Sequence, residues 1–301
     1  MTRRASASLT DFERPLSAGV CATIACLWEA TAPKPGNVYR GADFEDLTYA
    51  DFLVSAAAIG PILDTAVSRG IGATVLQAVQ ATRRVVATNT NLGILLLLAP
   101  LATVPAEESL AEGIAAVLAA LSPEDTVQAY EAIRIAQPGG LGQVSTADVS
   151  SEAIPELSLQ EAMRFAADRD LVARQYVSGF QQVFFAAGLV ESDLKAGASL
   201  CDAIVRAYLT LLSQLPDSLI ARKCGLELAE EVSVRAAAAL ASGPAGSCAF
   251  AGACQELDFW LRSDGHRRNP GTTADLIAAG LFVLLREQRL NWPVDFYAPE
   301  K

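Results

Sequence analysis

The sequence predicts an all-α protein, a single multi-helix domain of ten or more helices, on three observations. Apolar residues recur every three or four positions almost throughout. The runs that carry them open on capping residues and are separated by Gly, Pro, Asp and Ser, and the two-residue alternation of strands is nearly absent. A chain of 301 residues, 51% of them hydrophobic, can bury one large core, and residues 1–301 are read as one domain.

The elements follow in order. Thr48 with Asp51 three positions on is a capping pair, and Phe52, Ser55, Ala56, Ile59, Ile62, Leu63 and Ala66 trace one helical face, so a helix is expected over 48–67. Residues 92–104 form the longest apolar run. It contains Pro100 and falls short of the roughly 20 residues that span a bilayer, so it reads as a buried helix. Ser122-Pro123-Glu124-Asp125 puts proline at the first position of another helix. Ser158 to Glu161 has capping-box spacing ahead of a helical run over 163–185. Further helices are expected over 200–215, 218–240, 249–261 and 273–289, and the alanine-rich stretches 115–120 and 235–241 suit close helix packing. The Gly-, Ser- and acid-rich stretch near 137–157 is expected to be a mobile loop, with a domain split there as the lesser alternative.

Composition excludes several classes. A formal net charge of -11 argues against a general nucleic-acid binder, which needs a basic stripe for phosphates. The amino end turns polar at Asp11, Glu13 and Arg14 without the apolar core of a secretory signal, so a cytoplasmic protein with no membrane partner is expected. Six cysteines in mostly apolar helical contexts read as free thiols, and with no CxxC pair and one histidine, zinc is not expected. No P-loop is present, and Gly139-Gly140-Leu141-Gly142 is too isolated from any strand to be a dinucleotide turn.

Two polar, turn-forming segments stand out between the helices. One is Ala32-Pro33-Lys34-Pro35-Gly36-Asn37-Val38, followed by Asp43-Phe44-Glu45-Asp46; the other is Asn269-Pro270-Gly271-Thr272-Thr273-Ala274-Asp275. Such loops on a rigid scaffold are where binding and catalytic groups sit. Lys34, fixed between two prolines beside Gly36, is a stiffly held cation suited to a polyphosphate, against the plainer reading of a solvated loop lysine. Asp43, Glu45 and Asp46 are hard oxygen donors of the kind Mg2+ takes, Asp43 first; the dipole of the helix after Thr48 would also favour them. Asn89 and Thr90 precede the leucine-rich helix, where Gly93 permits close approach, and could hold a phosphate with charge added by Arg84; capping and a solvated arginine compete.

Asp217 and Ser218 open a helix that carries Arg222 and Lys223. An acid there can hold Mg2+ or take a hydroxyl proton beside two cations, whereas capping alone would explain the acid. Arg268, Asn269, Gly271 and Thr272 surround the start of the last helix and suit anion binding. Thr272 and Asp275 have capping-box spacing, and Asp275 is also a metal candidate. His266, the single histidine, is a candidate acid, against the commoner reading of a surface loop residue.

Five segments taken in order resemble the triphosphoribosyl-dephospho-CoA synthase family. They are Glu29 through Val38, Thr88-Asn89-Thr90-Asn91-Leu92-Gly93, Val177-Ser178-Gly179-Phe180, Pro216 through Lys223, and Asn269 through Ala278, a match reaching from Glu29 to Leu285. The resemblance implies an all-α enzyme that takes ATP with Mg2+ and 3'-dephospho-CoA, releases adenine and joins the triphosphoribosyl unit to the 2'-hydroxyl of the acceptor. It implies small-molecule partners, ATP and a coenzyme-like acceptor, and leaves a homodimer open. It also implies that Lys34, Arg222, Lys223 and Mg2+ hold the triphosphate while Asp217 or Asp43 orients or deprotonates the acceptor hydroxyl. Asn91-Leu92 stands where the family commonly has His-Lys, and Ser218-Leu219-Ile220 where Thr-Asn-Val commonly follows the acid. These departures motivate one alternative, a related ATP-using enzyme of methanopterin-type one-carbon cofactor biosynthesis. The other is a non-enzymatic helical ligand-binding protein.

Overall fold

The computed structural model describes residues 15–139 and 156–298. In chain order the helices are α1 (Ala18–Thr31), α2 (Tyr49–Leu63), α3 (Ala66–Arg69), α4 (Ile71–Val85), α5 (Leu92–Thr103), α6 (Leu110–Ala119), α7 (Pro123–Ala136) and α8 (Leu159–Arg164). They continue with α9 (Leu171–Ser178), α10 (Gln181–Lys195), α11 (Leu200–Gln214), α12 (Ser218–Cys224), α13 (Leu226–Ala241), α14 (Cys248–Arg262) and α15 (Gly271–Arg286), with one short extended segment, β1 (Ser263–His266), before α15. The described residues form no sheet, and the fold is all-α.

The last helix is the hub. Thirteen of the sixteen residues of α15 are buried, and it packs against α1, α5, α9, α10, α11 and α12. A helix apolar on all sides can be stable only inside a protein, and Ala278, Ala279 and Gly280 keep its girth small enough for its neighbours. The expected buried helix at 92–104 is α5, with ten of its twelve residues buried.

The capping pairs behave as their spacing demands. Thr48 and Asp51, Ser122 and Asp125, and Ser158 and Glu161 each exchange side-chain and backbone bonds in a complete capping box. Where expected helices prove to be several, a single residue interrupts a periodicity that resumes behind it. The 48–67 run stops at Leu63 and restarts as the one-turn α3. The 163–185 run is three helices, because Asp170 accepts the N–H groups of Val172 and Ala173 to start α9 and Gly179, with φ of +65°, ends it. Gly225, at φ of +95°, divides 218–240 into α12 and α13. Most of the loop expected near 137–157, residues 140–155, lies outside the described residues.

The α1–α2 crossing depends on an absent side chain. A Cβ on Gly19 would fall on the backbone oxygen of Gly60, and the Gly19 N–H donates to Asp64 Oδ1 at 2.6 Å. The obstacle is backbone and cannot rotate away. Gly19→Ala is therefore expected to lower stability by about 1–3 kcal/mol, read as a shifted midpoint in urea denaturation. All six cysteines are free, and no described helix is long and apolar enough to cross a membrane.

Candidate active site

The turns singled out in the sequence meet although more than 220 residues separate them. Asn269 Nδ2 donates to the Gly36 carbonyl at 3.0 Å, and the Gly36 N–H donates to Asp258 Oδ1 at 2.7 Å. Gly36 has φ of +80°, and a Cβ there would sit 2.7 Å from Leu261 Cδ1 and 2.9 Å from Pro270 Cδ. Arg262 fixes the loop that follows. Its Nε bonds both oxygens of Asp258 at 2.9 and 3.1 Å, its Nη2 donates to the Asn37 carbonyl, and its guanidinium lies 4.6 Å from the centre of the Phe44 ring.

Behind this junction is a cavity of about 750 Å³. Its floor is the amino end of α5, where Asn89, Thr90, Asn91 and Gly93 line it. Asn89 Oδ1 accepts the Leu92 N–H, the first of this helix, at 3.1 Å. Thr90 and Ser55 share a hydroxyl contact of 2.6 Å, and Asn91 Nδ2 donates to Thr82 Oγ1 at 3.1 Å. Ile133, Met163, Phe165 and Val172 give it an apolar wall.

A cationic group comes from Arg169, Arg222, Lys223 and Arg267. Arg222 Nη1 is paired with Asp170 Oδ2, while its buried Nε has no hydrogen-bond partner among the described residues. Lys223 Nζ lies 3.4 Å from the His266 carbonyl, and burial pulls its pKa below the ordinary lysine value. His266 also lines the cavity, its side chain 45% exposed, with Nε2 3.6 Å from Asp46 Oδ2 and its ring tilted against Phe44.

The acidic members are Glu29, Asp46, Asp170 and Asp275. Glu29 is only 4% exposed and forms an ion pair with Lys34 at 2.9 Å. Asp275, from the second turn of α15, has no hydrogen bond among the described residues. Burial above all, then the nearby carboxylates of Glu29, Asp217 and Asp170, holds its carboxyl well above the ordinary pKa. Gly93 makes the room for it, since a Cβ at Gly93 would sit 2.0 Å from Asp275 Oδ2.

Several expected site residues lie elsewhere. Lys34 is wholly buried, held by Glu29 and by the carbonyls of Glu29 and Ala32, and is not among the residues that line the cavity. Gly36 shapes the turn without reaching the cavity wall. Asp43 is exposed and its Oδ1 accepts the Tyr49 N–H at 2.6 Å, which is the helix-dipole reading. Glu45 and Arg84 are exposed and away from the cavity. Arg268 is taken up by the Trp260 carbonyl at 3.1 Å and stacks over the Trp260 ring.

Asp217 is fully buried and braces two helices. Oδ1 accepts the N–H groups of Leu219 and Ile220, and Oδ2 accepts the N–H and hydroxyl of Thr273. α15 begins at Gly271 with Pro270 before it, so Thr272 and Asp275 lie inside the helix and the capping box expected of them does not form; Thr272 Oγ1 instead takes the Ser218 hydroxyl at 3.0 Å. The expected metal set of Asp43, Glu45, Asp46, Asp217 and Asp275 is not assembled, and no group of three or more His, Cys, Asp or Glu residues suited to a metal converges among the described residues. Of the remaining expected residues, Asn89, Thr90, Arg222, Lys223, His266, Asn269, Gly271 and Thr272 line the cavity. Sequence reasoning missed Asp170 and Arg169, although an aspartate before Leu171-Val172 is a legible helix cap.

No curated protein matches the chain significantly. The crystal structure of a protein from Archaeoglobus fulgidus, provisionally named a triphosphoribosyl-dephospho-CoA synthase, aligns with a TM-score of 0.63 at 31% identity, covering 78% of this chain and 98% of that one. The sequence model of the ATP:dephospho-CoA triphosphoribosyl transferase family matches residues 15–294. With nearly its whole length inside that match, the chain belongs to the ATP:dephospho-CoA triphosphoribosyl transferase family.

Proposed function

We propose that the protein transfers the triphosphoribosyl unit of ATP to a hydroxyl of dephospho-CoA, releasing adenine, in the cavity at the amino ends of α5 and α15. One observation carries this reading beyond family membership. A single cavity in an acidic protein combines a concentrated cationic group, an apolar wall and a carboxyl without a hydrogen-bond partner among the described residues.

Arg222, Lys223 and Arg267 supply charge for the triphosphate. The wall of Ile133, Met163, Phe165 and Val172 suits the flat purine and limits water, which strengthens every charge interaction inside. Glycosyl transfer passes through a transition state with positive charge on the ribose, and the carboxylates of Glu29 and Asp170 at the cavity edge stabilise such charge. No group of three or more carboxylates converges as a metal cage among the described residues, and Mg2+ commonly needs only one or two carboxylates beside the nucleotide phosphates. Mg2+ enters this scheme with the nucleotide, as MgATP.

Neither the one-carbon-cofactor alternative nor the scaffold alternative gains support from the comparisons. A net charge of -11 fits small-molecule partners better than nucleic acid, and a cytoplasmic location fits the same chemistry. Incubation with MgATP and dephospho-CoA, followed by mass spectrometry, is expected to show adenine and the triphosphoribosyl conjugate in equal amounts. ADP or AMP in place of adenine would overturn the assignment, as would turnover of a pterin-type precursor but not of dephospho-CoA.

A further inference from the structure

We propose that Asp275 is the general acid of the transfer, giving its carboxyl proton to a ring nitrogen of adenine as the bond from ribose C1' to N9 breaks. The assignment rests on the transfer reading above and identifies the group that releases the base.

Comparison of the cavity carboxyls singles it out. Glu29 is committed to Lys34 at 2.9 Å. Asp170 is committed to Arg222 and to the N–H groups of Val172 and Ala173. Asp46 is exposed and lies beside His266. Asp275 alone among these four lines the cavity without a hydrogen bond or ion pair among the described residues. Its place is also built: Gly93 leaves its oxygen the only space that a side chain at position 93 would fill.

The charges around it favour a retained proton. Glu29 faces it from α1, Asp170 from the start of α9 and Asp217 from the start of α12, with Arg222 on α12 opposing them and the Cys26 thiol of α1 also coupled to it; the adjoining turn of α5, Asn91-Leu92-Gly93, carries no charge. Burial above all, then these carboxylates, raise its pKa above that of an ordinary aspartate, the direction a general acid requires. His266, the other candidate acid, is nearly half exposed at the end of β1.

The step balances without another reactant. The C1'–N9 electron pair goes to the purine, the Asp275 proton neutralises it, and the acceptor oxygen forms the new bond to C1'. The hydroxyl proton leaves to water, and water re-protonates Asp275, so the net transfer is one proton from acceptor to adenine.

The test is Asp275→Asn with two nucleotides. With MgATP and dephospho-CoA, kcat is expected to fall about 100- to 10,000-fold, the usual worth of a general acid, while MgATP affinity measured without acceptor is kept. With 7-methyl-ATP, whose base is already positive and departs without a proton, the variant should run close to the wild-type rate. In the wild type, kcat/KM for ATP should decline as pH rises through the Asp275 ionisation, and the variant should lack that limb. Gly93→Ala displaces the same carboxyl without changing it and should give the same contrast between the two nucleotides. Retained ATP turnover in Asp275→Asn, or equal loss with both nucleotides, would overturn the role. A wild type that releases no adenine at all is a different result, and refutes the transfer reading together with the role built on it.

Discussion

Lys34→Met is expected to destabilise the protein by about 3–5 kcal/mol, because Glu29 then remains buried with its charge unpaired. For a chain of this size that lowers the melting temperature by roughly 10 °C. The lysine folds back over the end of α1, where its ammonium also meets the carbonyls of Glu29 and Ala32, groups that a helix terminus leaves without partners. Removing both charges, as Lys34→Met with Glu29→Gln, should regain most of the loss, since no isolated ion is left inside. A phosphate-binding lysine would behave in the opposite way, raising KM for ATP at unchanged stability. Thermal denaturation of the three proteins beside ATP titrations separates the two.

Asp217→Ala should cost a similar amount, about 3–5 kcal/mol. Four donors lose their acceptor at once: the N–H groups of Leu219, Ile220 and Thr273 and the Thr273 hydroxyl. An N-cap is worth about 1 kcal/mol and each buried donor left unsatisfied about 1–3 kcal/mol. Asp217→Asn keeps the shape and half of the acceptors, and should fall between wild type and alanine. Urea denaturation gives the ordering. A catalytic base would instead lose turnover at undiminished stability in the asparagine variant, and that outcome would refute the bracing role.

Local rules were legible wherever donor and acceptor are close in sequence. The capping boxes at Thr48, Ser122 and Ser158 needed only a spacing of three, and the burial of α5 followed from its leucines. The meeting of the two polar turns was also within reach, because both interrupt long helices with the same Pro-Gly chemistry. Lys34 shows where such reading stops. A cation between prolines looks the same in sequence whether it points to solvent or folds back onto Glu29, and only the packed surroundings decide. Asp275 and Thr272 had the spacing of a capping box, but α15 starts ahead of both at Gly271, where Asp217, 56 residues from Thr273, accepts the Thr273 N–H. The breaks at Asp170, Gly179 and Gly225 were hidden because apolar periodicity resumes on either side of each.

The position of α15 in the chain bears on how the molecule is made. This helix follows in sequence every element it packs against, and it supplies the hub on which α1, α5, α10 and α11 rest. As the polypeptide leaves the ribosome, those earlier helices present their apolar faces uncovered until residues 271–286 arrive, the interval in which partly made chains stick to one another. The cavity shares that timing, since Asn269, Gly271 and Asp275 complete it. The cavity and the core are thus completed together, when synthesis has passed α15.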